Sequence, residues 1–456
     1  MQYRQYLTFA LIVIMVSAST NTISADKDAF SKPASDMPSS KKLDFMVGRG
    51  FFKRLWVTAP ASTQAADGLG PLFNARACMS CHPKNGRGKP PASADEEAIS
   101  MFLRIDIPPQ NEQQLSRLKS HRVNNIPDPV YGTQMQHFAV AGHNAEYQLQ
   151  IAYEEIPVKL ADGETASLRK PTYHAVKLGY GPLHPQARLS PRVAPPMIGL
   201  GLLEAIKEQD LYDRADPQDE NGDGISGRIN LVWSRLHQKV MPGRFGLKAG
   251  IATVDEQSQS AFVNDIGIST PLFSAGSAEC TDKQLQCLKA PDGNSPQYNH
   301  LEAPAKVTDL VNLYVSNLAV PPQRNTLDQD VLAGKRLFDE IGCSSCHVST
   351  FRVERYGKQQ EIHPYTDLLL HDMGEGLADN RPEGAADGRE WRTAPLWGIG
   401  LTQAVSGHTY FLHDGRARNL LEAILWHGGE AQPQRDAVAA LHKKQREQLL
   451  KFIESL

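Results

Sequence analysis

Two short cysteine motifs constrain this chain more than any other feature of its sequence. Each has the pattern Cys-x-x-Cys-His, and together they comprise Cys78, Cys81, His82, Cys343, Cys346 and His347. In such a motif the two thiols can add to the vinyl groups of a porphyrin, and the adjacent histidine then reaches the iron. A zinc-binding or redox cysteine pair does not require a histidine at that position. The motifs therefore predict two covalently attached c-type haems, with His82 and His347 as iron ligands.

The start of the chain has the pattern of a secretory signal. Arg4 precedes an apolar run at 7–16, and small residues follow, with cleavage expected after Ala18 or Ala25. The run is short for a bilayer-spanning helix, although an uncleaved anchor is the alternative. We therefore expect residues 1–25 to be a signal peptide and the mature protein to lie in the periplasm.

The two cysteines outside the motifs are Cys280 and Cys287. In an exported protein such a pair usually forms a disulfide, which we predict here; two free thiols are the alternative.

The balance of charge argues against one class of partner. Lys and Arg number 48 against 51 Asp and Glu, for a net charge of −3. Phosphate binding needs a surplus of clustered basic residues, so we expect no nucleic-acid partner.

Composition and periodicity predict a mainly α fold of two cytochrome c-like haem modules. Residues 26–45, rich in Ser, Pro and Lys, are expected to be a flexible lead-in. An N-terminal haem domain at 46–325 would contain a loop-rich insertion with some short strands and end in a helix before Pro321. Helical spacing before the second motif and near the C-terminus predicts a cytochrome c domain at 326–456.

An internal repeat suggests that the two modules are duplicates. RVAPPMIGLGLLEAI at 192–206 matches RTAPLWGIGL at 392–401, and LLEAI recurs at 420–424. Arg192 and Arg392 begin the matching strings. Because a guanidinium binds a carboxylate through two hydrogen bonds, each is a candidate for pairing with a haem propionate; ordinary surface ion pairs are the alternative.

A second candidate metal site is the segment DPQDENGDGISGRIN. Asp219, Asn221 and Asp223 stand at alternate positions before Gly224, as in the first half of a calcium loop. Asn230 stands where such a loop has its glutamate. The segment predicts either a calcium site or an Asx-rich turn without an ion.

Long strings in the chain resemble one bacterial family. They include GLGPLFNARACMSCH, YGPLHPQARLSPRVAPPMIGLGLLEAI, DGISGRIN, GRFGLKAG, PYTDLLLHDMGEGLAD, GREWRTAPLWGIGL and FLHDGRARNLLEAILWHGGEA. These strings are similar to the di-haem oxidoreductase family, whose members are described as peroxidases. The resemblance implies two haems, electron transfer, a donor cytochrome or cupredoxin, and hydrogen peroxide as the small substrate.

A more distant resemblance, to di-haem cytochrome c peroxidases and the tryptophylquinone-maturing di-haem enzyme, concerns the second haem. YFLHDGRARNLLEAI at 410–424 is similar to a peroxidase phrase, with Leu412 inserted. In those enzymes the sixth iron ligand, usually methionine, falls fourteen residues after the histidine of the phrase, which here gives His427. The resemblance implies a bis-histidine haem of lowered potential, with Met373 as the alternative ligand.

The same comparison concerns the first haem. The repeat aligns Glu204 with a peroxidase glutamate that faces the peroxide, where a carboxylate can move a proton between the two oxygens. The chain lacks the Phe-Trp-Asp-Gly-Arg phrase that precedes this glutamate in the peroxidases. The resemblance nevertheless implies that Glu204 is catalytic.

These features favour a periplasmic di-haem oxidoreductase that reduces hydrogen peroxide. A di-haem electron carrier is one alternative, in which His174, His184 or Met197 would complete the coordination of the first iron. An oxidase of a partner protein or of iron is another, since relatives often accompany imelysin-like iron-uptake proteins.

Overall fold

The computed structural model describes residues 26–63, 65–93, 96–275, 277 and 279–456; the expected signal peptide, 1–25, lies outside the described residues. The α-helices of this part of the chain are α1 Lys42–Lys53, α2 Cys78–Cys81, α3 Glu112–Lys119, α4 Leu200–Glu204, α5 Glu208–Tyr212, α6 Val254–Ala261, α7 Leu285–Leu288, α8 Ala305–Ser316, α9 Gln329–Glu340, α10 Thr402–Ser406, α11 Leu420–Leu425, α12 Gln432–Ala440 and α13 Lys443–Ser455. The strands are β1 Leu72–Phe73, β2 Met101–Asp106, β3 Phe138–Ala139, β4 Gln148–Lys159, β5 Thr165–Val176, β6 Arg188–Val193, β7 Leu231–Ser234, β8 Lys239–Pro242, β9 Phe351–Arg355, β10 Lys358–Ile362, β11 Leu370–Asp372 and β12 Glu390–Arg392.

The expected mainly α fold is wrong, because the structure is 30% helix and 20% strand. The strands pair into two-stranded antiparallel sheets, of which β4 with β5 is the longest. Pro157 and Pro171 lie inside these two strands and made the segment look like a loop in the sequence. A two-stranded ribbon tolerates them because each strand has one edge whose N–H groups need no strand partner.

Two helix pairs support the two cysteine motifs in the same way. In the first pair, α1 crosses α8 at Gly48, where an added Cβ would collide with the carbonyl oxygen of Leu310. One turn later Phe52 packs on Tyr314, with ring centroids 5.3 Å apart, and lies 6.4 Å from the ring of His82. Glycine therefore permits the close crossing that places an aromatic ring beside the motif.

The second pair repeats this arrangement. Helix α9 crosses α13 at Gly334, where a Cβ would collide with the carbonyl oxygen of Gln448. Phe338 packs on Phe452 at 5.3 Å and lies 6.3 Å from the ring of His347. The shared geometry agrees with the duplication that the sequence repeat suggests.

The repeated strings also pack against each other. Gly199 and Gly398 occupy equivalent positions and have φ of 70° and 72°, in the left-handed region. A Cβ on Gly199 would collide with Trp397, and one on Gly398 would come within 2.6 Å of Ile198. Each repeat thus fills the space that the other's glycine leaves open, which fixes the two halves relative to each other.

Residues 26–45 pack against the core, although their composition predicts a flexible lead-in. Phe30 is 2% exposed and Met37 is buried. The backbone N–H of Ala34 donates to the carbonyl of Asn317 at 2.8 Å. Ala29, Phe30, Met37 and Phe45 all join the main hydrophobic core and anchor a segment whose remaining residues are mostly polar.

The β4–β5 hairpin joins the first half of the chain to the second. Leu160 and Leu168 belong to the same hydrophobic cluster as α13. Near the hairpin turn, Asp162 and Glu164 accept hydrogen bonds from Arg446 at 2.9 and 2.8 Å. The predicted C-terminal helix is two helices, α12 and α13, because His442 begins a new helix with a capping box.

Candidate active site

One cavity of about 1420 Å³ reaches both cysteine motifs. It exceeds the roughly 300–1,000 Å³ of an ordinary small-molecule pocket. Its wall includes the predicted cofactor-binding residues Cys78, Cys81, His82, Arg192, Cys343, Cys346, His347, Arg392 and His427. The fold therefore brings together at one cavity residues that lie far apart in the sequence.

The two motif histidines are oriented by their second ring nitrogen. His82 Nδ1 lies 2.8 Å from the carbonyl oxygen of Pro195, and His347 Nδ1 lies 2.9 Å from that of Tyr365. Burial lowers the pKa of each imidazole to about 4, so both rings are neutral at physiological pH. A neutral imidazole whose Nδ1 donates to a carbonyl presents Nε2 to a metal, as iron ligation requires.

The thiol pKa values of the motif cysteines differ from those of a redox-active cysteine pair. Burial raises the pKa of the Cys78 and Cys343 thiols to about 12, and raises the pKa of Cys81 and Cys346 as well. A disulfide-exchange motif needs a lowered thiol pKa. None of these four cysteines forms a disulfide, whereas Cys280 and Cys287 do, with their Cα atoms 6.0 Å apart.

Hydrogen bonding excludes two of the other histidines of the second half as iron ligands. His371 and His408 each use both ring nitrogens: His371 binds Asp367 and Glu430, and His408 binds Arg87 and Tyr410. Neither has a nitrogen left for iron.

His427 has a different arrangement, which suits a ligand. Its Nδ1 lies 2.7 Å from the carbonyl oxygen of Ala423, one turn earlier on α11, so Nε2 remains available. The ring lines the cavity and acts electrostatically on His347, which places the two imidazoles near each other. Met373 also lines the cavity, so the choice between these two ligands stays a prediction.

The three candidates for the sixth ligand of the first haem differ in whether they line the cavity. His174 is exposed on β5, and neither it nor His184 is among the cavity-lining residues. Met197 does line the cavity. Of these three side chains, Met197 alone is placed where it could reach the cofactor.

The structure places Glu204 away from the cavity wall. Its carboxylate accepts a hydrogen bond from the backbone N–H of Val254, at 2.8 Å, at the first residue of α6. It lines a separate small depression with Arg355 and Tyr356. The structure thus does not bring Glu204 to His82, and its catalytic role stays a prediction.

Asp265 is a carboxyl group in the cavity wall that the sequence reasoning missed. Its charge raises the pKa of both Cys78 and Cys81, so it lies close to the first motif. Burial raises the pKa of Asp265 itself, and Gln134 donates to its Oδ1 at 2.7 Å. A buried carboxyl of raised pKa can hold or release a proton beside the cofactor. No local pattern in the sequence marks it, because contacts far along the chain place it there.

A stacked aromatic pair also lines the cavity. His413 lies on Trp391, with ring centroids 3.8 Å apart. Leu412, the inserted residue of the peroxidase-like phrase, has φ of 69°, and Arg87 donates a hydrogen bond to its carbonyl oxygen. A local kink in the backbone thus absorbs the insertion.

The charges of the cavity wall fit the propionates of haem. Eight arginines and five carboxylates line it: Arg87, Arg104, Arg117, Arg122, Arg192, Arg235, Arg392 and Arg435 against Glu256, Asp265, Glu279, Glu383 and Glu430. Arg192 already pairs with Asp379 and Glu383, at 3.4 and 3.3 Å. The guanidinium of Arg392 instead donates to carbonyl oxygens. The surplus of cations suits a cofactor that carries carboxylates, and the propionate roles of Arg192 and Arg392 stay predictions.

The predicted calcium loop forms Asx turns. Asp219, Asn221 and Asp223 accept hydrogen bonds from the backbone N–H groups of Gly224, at 3.1 Å, Asp223, at 2.8 Å, and Ile225, at 2.9 Å. These bonds account for the acidic pattern without an ion. Calcium binding stays a prediction.

His371 is a buried charged group beside the second motif. It is 2% exposed, and its Nε2 and Nδ1 each lie 2.8 Å from a carboxylate, Asp367 and Glu430. Burial alone would lower the pKa of His371, but the bonds to Asp367, Cys346 and Glu430 outweigh it and raise the pKa well above the ordinary value.

Replacing His371 with leucine is expected to lower the free energy of unfolding by about 3–5 kcal/mol, because two carboxylates would lose their buried partner. Because the folded pKa of His371 is raised, its contribution is complete below the unfolded pKa of about 6.5 and is lost as the pH rises through the folded pKa. Urea titration of the holoprotein at several pH values measures this. His363→Leu is the control, since that side chain is 58% exposed; an equal loss in both variants would contradict the assignment.

Two Cys-x-x-Cys-His motifs with oriented histidines and a surplus of arginines around one large cavity are the features of a haem-binding protein. The family model "Di-haem oxidoreductase, putative peroxidase" matches residues 16–456. The chain therefore belongs to the di-haem oxidoreductase family, which implies two haems.

No curated protein is significantly similar to the sequence. A chain of Kuenenia stuttgartiensis hydrazine synthase, from a structure under 20 bar of xenon, is 16% identical with a TM-score of 0.22. The match covers 41% of this chain and 65% of that one, less than two thirds of its length, and a similarity of this size carries no structural inference. Among the residues that the structure describes, no helix is both long and apolar enough to cross a membrane.

Proposed function

We propose that this chain is a periplasmic di-haem c-type oxidoreductase that reduces hydrogen peroxide with electrons from a donor cytochrome or cupredoxin. The observation that carries the proposal is the single cavity onto which both Cys-x-x-Cys-His motifs open. Cofactors held at one cavity can exchange electrons, which a two-electron reduction fed by a one-electron donor requires.

The overall reaction converts one hydrogen peroxide, two protons and two electrons into two waters. Haem iron with an open coordination position supplies the redox centre at which peroxide is bound and reduced. The protein's own residues must hold each haem, control access to each iron and deliver protons.

The two Cys-x-x-Cys-His motifs would hold the two haems. The four motif thiols would form thioether bonds to the two porphyrins, and the hydrogen bonds of His82 and His347 to backbone carbonyls fix the direction of each Nε2. Arg87 and Arg392 are half-buried, cavity-lining arginines without a carboxylate ion pair among the described residues, which suits them to propionates.

The access of peroxide to the iron would differ between the two haems. His427 presents its free Nε2 near His347 and would close the second iron as an electron-transfer centre. Peroxide would then react at the first haem, where Asp265 would hold the proton that moves to the leaving oxygen. We prefer Asp265 to Glu204 because it lines the cavity.

Covalent attachment is tested by the haem that remains bound after denaturation. We expect two haems for each wild-type chain matured in the periplasm. Cys78→Ala/Cys81→Ala and Cys343→Ala/Cys346→Ala should each retain one, because one motif would be left intact. Cys280→Ala/Cys287→Ala is the matched control and should retain both. Loss of all haem from the denatured wild type would contradict c-type attachment.

Peroxide reduction is tested by peroxide consumption coupled to oxidation of a reduced cytochrome or cupredoxin. The proposal predicts catalytic turnover with two equivalents of donor oxidised for each peroxide. The second candidate function, a di-haem electron carrier, is favoured by the place of Met197 in the cavity wall, where it could complete the coordination of the first iron. Electron exchange with the donor but no peroxide consumption would support that candidate and contradict peroxidase activity.

A further inference from the structure

Three arginines in the cavity wall lie over aromatic rings. Arg104 lies 5.8 Å from the ring centroid of Phe102, Arg122 lies 3.6 Å from Trp233, and Arg235 lies 4.6 Å from Phe273. All six residues line the cavity, and we refer to them as the arginine–aromatic wall. Guanidinium groups favour such positions over a ring because of the negative face of the π system.

These guanidinium groups have no carboxylate partner. Among the described residues, none of Arg104, Arg122 and Arg235 makes an ion pair or a side-chain hydrogen bond to an acid; Arg104 feels Asp265 and Glu383 only at longer range. Arg122 and Arg235 are exposed, whereas Arg104 is half-buried. The wall therefore offers planar donors that the protein itself does not satisfy.

The nearby carboxylates are occupied by other donors. Glu256 accepts from the backbone N–H of Leu236 at 3.2 Å and from that of Arg235. Glu279 accepts from the backbone N–H groups of Thr133 and Gln134, at 2.8 and 2.9 Å. Both carboxylates keep their negative charge, and three arginines against two carboxylates leave this part of the wall with a net positive charge.

Two of the three pairs are joined through one short strand. Trp233 lies in β7, and Arg235 is the first residue of the turn that follows this strand. Arg122 stacks on Trp233, and Arg235, two residues further along, covers Phe273. Stacking limits the freedom of both guanidinium groups and lowers the entropy cost of binding a ligand between them.

We propose that the arginine–aromatic wall is a binding site for a planar organic anion, such as an aromatic carboxylate. A carboxylate can accept two parallel hydrogen bonds from one guanidinium while the ligand's ring packs on Trp233 or Phe273. A haem propionate, which is also a carboxylate, is the rival occupant of the arginine–aromatic wall. Arg87 and Arg392 serve that role better, because they are half-buried in the cavity wall whereas Arg122 and Arg235 are exposed.

The test measures benzoate binding to the holoprotein by equilibrium dialysis at low salt, with benzyl alcohol as the uncharged comparison. Wild type is expected to bind benzoate more tightly than benzyl alcohol. Arg122→Gln and Arg235→Gln should each weaken benzoate binding about tenfold, the effect of losing one charge-assisted pair. Arg122→Lys should restore only part of the loss, because lysine keeps the charge but not the planar fork.

Arg214→Gln is the matched control, because Arg214 is exposed and lies 4.8 Å over Phe351 but does not line the cavity. Its benzoate affinity should equal that of wild type. Equal binding of benzoate and benzyl alcohol by the wild type, or an equal loss in the Arg214 variant, would overturn the proposal. So would an unchanged benzoate affinity together with a shifted haem reduction potential in the Arg122 or Arg235 variants, which would assign these arginines to a propionate. Because the assay needs no turnover, its result is independent of peroxidase activity.

Discussion

Replacing Asp265 with asparagine is expected to lower kcat/KM for hydrogen peroxide by about 10² to 10⁴-fold while both haems remain attached. This range is the usual contribution of a positioned general acid–base. The amide keeps the shape of the carboxyl and can still accept the hydrogen bond from Gln134, which limits structural disturbance. The measurement is the initial rate of peroxide consumption with reduced donor, normalised to haem content.

Glu204→Gln is the matched comparison, since this carboxylate accepts its bond from Val254 and lies outside the cavity wall. We expect it to leave kcat/KM close to the wild-type value. A large loss in Glu204→Gln together with normal turnover in Asp265→Asn would reverse the assignment and restore the role implied by the resemblance to the peroxidases.

The second large effect is expected at His427. Replacing it with methionine should raise the reduction potential of one haem by roughly 100 mV, within the range of about 0.8 V that axial ligands span. A thioether is a weaker donor to ferric iron than an imidazole, so it favours the reduced state. Replacement with alanine should convert the same haem from low spin to high spin. Spectroelectrochemical titration of the two variants measures both changes.

Met373→Leu distinguishes the rival ligand, since Met373 lines the same cavity. If His427 is the ligand, the leucine variant keeps the wild-type spin state. A high-spin haem in Met373→Leu, with an unchanged spectrum in the alanine variant of His427, would assign methionine instead.

The presence of two haems was predictable from the sequence because its determinants are local, and their covalent attachment stays a prediction. The cysteines and histidine of each motif stand within five residues, so spacing alone identifies them. The pairing of Cys280 with Cys287 is also local, and the structure contains it. The family was likewise evident from the sequence and is confirmed over residues 16–456.

The repeated string offers a structural reason for Glu204, whose catalytic role stays a prediction. Its counterpart in the second LLEAI string, Glu422, pairs with Arg418 at 2.9 Å and accepts the backbone N–H of the same residue. Glu204 likewise accepts a backbone N–H, that of Val254. Both glutamates thus support neighbouring backbone, which is a sufficient reason for their place in a repeated string.

Neither the position of Asp265 beside the first motif nor the long strands could be predicted from the sequence. Asp265 reaches the first motif because its backbone carbonyl accepts the N–H groups of Asn74 and Ala75, a contact between segments far apart in the chain. The β4–β5 hairpin contains prolines that are usual in loops and are acceptable only because the ribbon has two strands. Both depend on tertiary partners that a single sequence does not display. The division at 325 stays a prediction.

The central claim is that the first haem is open to peroxide while the second is closed by a protein ligand. The most direct measurement is the optical spectrum of the half-reduced holoprotein before and within milliseconds after mixing with hydrogen peroxide. The claim predicts a high-spin ferric signal that changes on mixing, with a rate proportional to peroxide concentration. A fully low-spin spectrum that does not respond to peroxide would contradict it and identify an electron carrier with both irons capped.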